Sequence, residues 1–96
     1  MVLPKLNNFS DWASHNAICV EIGDLTVWFS YRTPVAFQVS GQPRIVSTNY
    51  WSSATGVHLN AIDPDKSKRV KEDEFNERLG TIVKQINKAL AETTYL

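Results

Sequence analysis

The sequence predicts a small α+β domain, an antiparallel β-meander of about four strands packed against one C-terminal amphipathic helix. Three observations carry this reading. Apolar residues alternate along the stretch from Ala17 to Thr48, with turn chemistry between the runs. The period changes to that of a helix beyond Ser67. The 96 residues suffice to bury one core and not two, so residues 1–96 read as a single domain.

In order along the chain, Ser10-Asp11-Trp12-Ala13-Ser14 suits a short helical turn capped by Asn8 or Ser10. Residues 17–22 then place Ile18, Val20 and Ile22 on one face of a strand. Gly23-Asp24 is a two-residue turn, because glycine accepts a positive φ. The return run, Leu25 to Tyr31, alternates Leu25, Val27, Phe29 and Tyr31 against Thr26, Trp28 and Ser30. Thr33-Pro34 interrupts the ladder, since Pro34 has no N–H to donate, and a bulge or an edge position absorbs it. Val35, Phe37 and Val39 resume a strand, Ser40-Gly41-Gln42-Pro43 turns, and Arg44 to Thr48 returns. Asn49 to Asn60 mixes aromatic and small polar residues and fits a loop or a last short hairpin.

Asp63-Pro64-Asp65-Lys66-Ser67 reads as a polar turn. After it, Phe75, Leu79, Ile82, Val83, Ile86, Ala89 and Leu90 recur at spacings of 4, 3, 1, 3, 3 and 1, the stripe of a helix that faces the sheet. Glu72, Asp73 and Glu74 suit its first turn, and Glu74 to Arg78 forms an i,i+4 pair. Gly80 inside this helix marks an expected close approach to the sheet.

Composition narrows the function classes. An apolar share of 43% is too high for a disordered chain. Ten basic residues balance ten acidic ones, so no long-range field steers the chain to nucleic acid or an anionic membrane, and a charged partner must meet a local patch. Cys19 is the only cysteine, which excludes an intrachain disulfide and a Cys-rich zinc site. No apolar run has the length of a membrane span, and Met1 to Lys5 lacks the pattern of a secretory signal; the expected location is the cytoplasm.

No catalytic signature is present: no G-x-S-x-G, H-E-x-x-H, C-x-x-C or dinucleotide fingerprint. The expectation is a non-enzyme without metal or cofactor. His58 beside Ser52 and Thr55 has the elements of a nucleophile and base pair, but no third group is identifiable, and a histidine bonded to loop backbone is the plainer reading. Cys19 reads as a small buried hydrophobe.

Two stretches are dense in aromatic and polar residues, around Tyr31-Arg32 and from Asn49 to His58. Tyrosine and tryptophan offer an apolar body with a hydrogen-bonding tip, and arginine accompanies them at binding hot spots. Tyr31, Arg32, Tyr50, Trp51, Thr55 and His58 are therefore the candidate binding residues, and a core plug built on Tyr50 and Trp51 is the competing reading. Thr33-Pro34 is expected to form an irregular corner against which the segment from Tyr50 to His58 folds. A second candidate is the basic run Lys66, Lys68, Arg69 and Lys71, which with nearby aromatics suits single-stranded nucleic acid, although flanking acids cancel much of its potential.

The stretches Trp28-Phe29-Ser30-Tyr31-Arg32-Thr33-Pro34-Val35-Ala36 and Asn49 to Asn60 resemble a family of short uncharacterised proteins of phages, plasmids and their prokaryotic hosts. Its pattern is an S-Y-x-T-P-V-A strand end and a W-S-x-x-T-G-x-H-L loop, followed by a helix containing phenylalanine, which Phe75 matches. Ala54 departs from the polar residue expected before Thr55-Gly56. The resemblance implies no activity. It implies an accessory protein of a mobile element, a class in which small binders of host proteins are common. The expected function is accordingly a small interaction protein that binds a host protein or a small ligand, with single-stranded nucleic-acid binding as the alternative and no membrane association.

Overall fold

The structure, a computed structural model, describes the backbone of residues 4–49 and 53–94, and the side chains of these residues apart from Ile86 and residues 89–94. Among the described residues, five antiparallel strands lie across one sheet in sequence order: β1 (Lys5–Asn8), β2 (Ala17–Ile22), β3 (Leu25–Ser30), β4 (Thr33–Val39) and β5 (Ile45–Val46). Two helices follow, α1 (Ser53–Ile62) and α2 (Glu72–Thr94). The α+β class, the meander and the C-terminal helix agree with the sequence patterns. The strand number does not: β1 is a fifth strand, and its run Lys-Leu-Asn-Asn carries a single apolar residue that no periodicity could reveal.

The second correction is α1. The segment read as a loop or hairpin is a helix whose buried residues are Thr55, His58, Leu59 and Ile62. Their spacing is that of a helix face, but polar side chains occupy two of its buried positions, so an apolar count misses it. The expected turn at Ser10 to Ser14 lies slightly later, as a 3₁₀ turn over Ser14–Asn16, and Ser10 Oγ accepts the Trp12 N–H at 3.2 Å just before it.

Register places Val20, Val27, Phe37 and Ile45 on one face of the sheet and Cys19, Trp28, Ala36 and Val46 on the other. The first face packs under α2, where Leu25, Val27 and Phe37 are buried with Phe75 and Leu79. The second packs under α1, where Val35, Ala36 and Val46 are buried with Leu59 and Ile62. The sheet is thus covered on both faces, by two helices where one was expected. Arg44 fastens α1: its guanidinium donates to the carbonyl of Ile62 and lies 4.9 Å from the centre of the Trp28 ring.

Along α2 the docking falls off after Leu79, and the expected contacts of Ile86, Ala89 and Leu90 lie outside the described side chains. Phe75 and Leu79 are buried and Ile82 is half-buried, but Val83, expected to face the sheet, is 39% exposed. Gly80 has no neighbour within 4 Å of where its Cβ would stand, so no close approach explains it. The Glu74–Arg78 pair forms at 3.6 Å.

The β3–β4 hairpin positions the candidate site. Ser30 pairs with Thr33, leaving Tyr31 and Arg32 as the turn. The strand therefore ends at Ser30, one residue earlier than the alternation predicts. Next to it, Trp28 pairs with Ala36 and Phe29 with Pro34, so Val35 is an extra residue in β4. This bulge accommodates Pro34 as expected, and the Val35 carbonyl accepts the Ser47 N–H at 2.9 Å.

Candidate functional site: a buried histidine under an aromatic and arginine corner

His58 projects from α1 into the space between the β3 end and the segment before β2, where it is fully buried. Its Nε2 lies 3.0 Å from the carbonyl oxygen of Trp12, which can only accept, so Nε2 carries the proton. In the neutral ring Nδ1 is then an acceptor, and the Ser30 hydroxyl donates a hydrogen bond to it at 2.6 Å. Thr55, one helical turn before His58, brings its Oγ1 to 3.3 Å from Ser30 Oγ. Both ring nitrogens are satisfied by the protein itself, which is what a buried imidazole requires.

Among the described residues, three aromatic rings pack on the imidazole. Tyr31 stacks on it at 5.5 Å and 27°, Trp12 leans on it at 5.6 Å, and Phe9 meets it edge-on at 5.8 Å. Phe9 is half-buried, whereas Trp12 is 49% exposed and Tyr31 41%. One face of each of these two side chains therefore rests on the protein while the other is open to solvent.

The turn that carries Tyr31 is strained. Its φ values are 50° at Tyr31 and 69° at Arg32, the positive pair of a type I′ hairpin, a turn that favours Asn-Gly. Side chains with a Cβ resist this region, and each such residue costs roughly 1–2 kcal/mol. The Tyr31 N–H is held by the Asn16 carbonyl at 2.9 Å, and the ring by His58. Arg32 stands at the tip, exposed and without an ion pair among the described residues.

The structure thus brings together Tyr31, Arg32, Thr55 and His58 from the sequence-derived set. Thr55 and His58 lie in the interior and position the corner, while Tyr31 and Arg32 form its surface. The corner expected at Thr33-Pro34 lies one step earlier, at Tyr31-Arg32; Thr33 and Pro34 already belong to β4, where the irregularity is the bulge at Val35, and α1 folds against this corner. Tyr50 and Trp51 lie outside the described residues. Trp12, Phe9 and Ser30 were not singled out by sequence reasoning; only the fold brings Trp12, 46 positions before His58, to its side.

Ser30 and His58 have the separation of a nucleophile and its base, and the Trp12 carbonyl orients the ring. Both side chains are nonetheless closed off from solvent, at 1% and 0% exposure, so no substrate reaches them in this conformation. Among the described residues no group of histidine, cysteine and acidic side chains has the makings of a metal site. Burial pushes the Cys19 thiol up from its ordinary value, with the Glu21 charge adding to the effect, as suits a buried hydrophobe.

The basic run is dispersed. Lys68 lies 3.7 Å from Asp65, Arg69 donates to Asn60 Oδ1 and to the Asp63 carbonyl, and Lys66 and Lys71 are exposed. No helix among the described residues is long and apolar enough to cross a membrane.

A family of unknown function (DUF8033) matches residues 1–77, most of the chain. The chain belongs to the DUF8033 family. The DUF8033 match takes in the whole sheet, α1, and the part of α2 that carries Phe75, so the histidine and its surroundings lie inside it. Neither the curated proteins nor the solved structures gave a match to this DUF8033 chain.

Proposed function

We propose that this DUF8033 protein is a small non-enzymatic interaction module that binds a partner protein through Trp12, Tyr31 and Arg32. The observation that carries the reading is the strained Tyr31-Arg32 turn, held over a buried histidine so that two aromatic faces are open together with a guanidinium that makes no ion pair among the described residues. A turn serving only to join two strands would have no need of this strain, because Asn-Gly makes the same connection without it. The chemistry suits a partner surface that is apolar with an acidic rim. The resemblance to short phage and plasmid proteins makes a protein of the host cell the natural partner, met in the cytoplasm.

Single-stranded nucleic-acid binding through Lys66, Lys68, Arg69 and Lys71 has less support, because Lys68 faces Asp65 and the acids that flank the run cancel much of its potential. The test compares wild type with the double variant Trp12→Ala and Arg32→Ala in affinity capture from host lysate and in titrations with single-stranded oligonucleotide. The proposal expects one protein retained by wild type and lost by a variant whose circular dichroism is unchanged. Retention by both proteins, or oligonucleotide binding that falls steeply with salt, would overturn it.

A further inference from the structure

We infer that a second site, on the side of α1 away from His58, binds the phosphate group of a small ligand. A pocket of about 330 Å³ there is lined by Thr48, Asn49, Gly56, Asn60, Lys66 and Arg69, with no carboxylate among them. Two cations share this wall, and neither Lys66 nor Arg69 makes an ion pair among the described residues. The acids of the neighbouring loop are turned to other work. Asp63 accepts the Asp65 N–H at 2.9 Å, while Asp65 accepts from the Ser67 N–H and hydroxyl at 3.0 and 2.6 Å and faces Lys68.

Arg69 is fixed as a ligand-binding arginine would be. Its guanidinium donates to two neutral acceptors, Asn60 Oδ1 at 3.2 Å and the Asp63 carbonyl at 3.3 Å, and its Nε is buried with no hydrogen-bond partner among the described residues. A partly buried guanidinium with only neutral partners retains its full charge for an incoming anion. Asn60, having accepted through Oδ1, keeps its Nδ2 hydrogens to donate.

Gly56 adds an independent observation. A glycine within a helix costs about 1 kcal/mol relative to alanine. At this position a Cβ would stand 3.1 Å from Asn49 Nδ2, tight enough to push the amide back from the pocket wall. The glycine thus keeps the Asn49 amide in place beside Lys66 and Arg69. Thr48 shapes the pocket without donating to it, because its hydroxyl is given to the Val70 carbonyl at 3.1 Å. The volume lies at the lower end of ligand pockets, about 300–1,000 Å³, which suits a phosphate ester of modest size and not a polymer groove.

The test is a titration of the intact protein with inorganic phosphate at constant ionic strength, followed by amide chemical shifts. Saturable shifts at Asn49, Asn60, Lys66 and Arg69 are expected. Lys66→Ala should weaken binding at least about tenfold, the effect of one charge-assisted contact. Asn60→Asp, which places a carboxylate in the pocket, should abolish it. Parallel titrations with a nucleoside monophosphate and with a single-stranded oligonucleotide lacking a terminal phosphate identify the source. Saturation by the monophosphate at lower concentration than by phosphate would extend the ligand beyond its phosphate. Linear, unsaturable shifts, an unchanged affinity in Lys66→Ala, or binding of the oligonucleotide alone would each overturn the inference.

Discussion

Ser30 Oγ stands 2.6 Å from Nδ1 of His58, joining the last residue of β3 to the middle of α1 in a place closed to water. Ser30→Ala leaves Nδ1 without its donor, and an unsatisfied buried acceptor costs about 1–3 kcal/mol. His58→Ala removes both hydrogen bonds and opens a cavity under Tyr31 and Trp12, and should cost more than Ser30→Ala. Urea denaturation of both variants and of the double variant should show the two effects to be non-additive, as for residues sharing one bond. Additive losses would mean that the contact does not couple the strand to the helix.

Arg32→Gly should stabilise the protein. The residue sits at a φ of 69°, where glycine pays no steric penalty, and relief of about 1 kcal/mol is expected. A rise in Tm together with lost partner binding is the predicted pair of results, a trade of stability for function. An unchanged or lower Tm would show that the turn holds no strain.

On α2 the effects should fall along the helix. Phe75→Ala should cost about 3–5 kcal/mol and Leu79→Ala about 2–5, enough to unfold a small domain, whereas Val83→Ala should stay within about 0.5 kcal/mol. Ile82→Ala should lie between, since that side chain is only half-buried. Thermal melts of the four variants check the order. A large loss at Val83 would mean that this side chain is covered in solution.

How far this was legible in the sequence depended on which side chains carried the pattern. The β2–β3 hairpin and α2 were readable because their buried positions are apolar and fall at regular spacing: Ile22 pairs with Leu25 across Gly23-Asp24, and Phe75 and Leu79 repeat on one helix face. At α1 the periodicity is equally regular, but Thr55 and His58 occupy buried positions, so the same residues that make the site conceal the helix. Tyr31 and Arg32 were recognised by residue type, yet their place at the tip of a turn was not, because neither is a residue that such turns favour. Trp12 became part of the site only through pairing of its carbonyl with a side chain far along the chain.

The Cys19 thiol gives a pH dependence with a definite sign. Its folded-state value is raised by burial, so the folded protein keeps a proton that the unfolded chain releases. Stability should therefore fall as pH rises above the ordinary thiol range, and Cys19→Ala should flatten that limb. Asp65 acts at the other end: hydrogen bonds from Ser67 hold its carboxyl below the usual range, so its contribution is present above that range and is lost as pH falls through the lowered value. Thiol labelling of the native protein should be slow and should accelerate on unfolding. Rapid labelling without unfolding would contradict the burial of β2.

The claim that the corner of Trp12, Tyr31 and Arg32 is the binding face is tested most directly by site-specific photo-crosslinking in cells that carry the protein. A crosslinking residue is placed at position 32 and, in a second protein, at position 73, where Asp73 is exposed on α2. The account predicts one discrete adduct from position 32, absent from position 73 and lost when Trp12→Ala is added. An adduct from position 73 alone, or one from position 32 that survives Trp12→Ala, would contradict it.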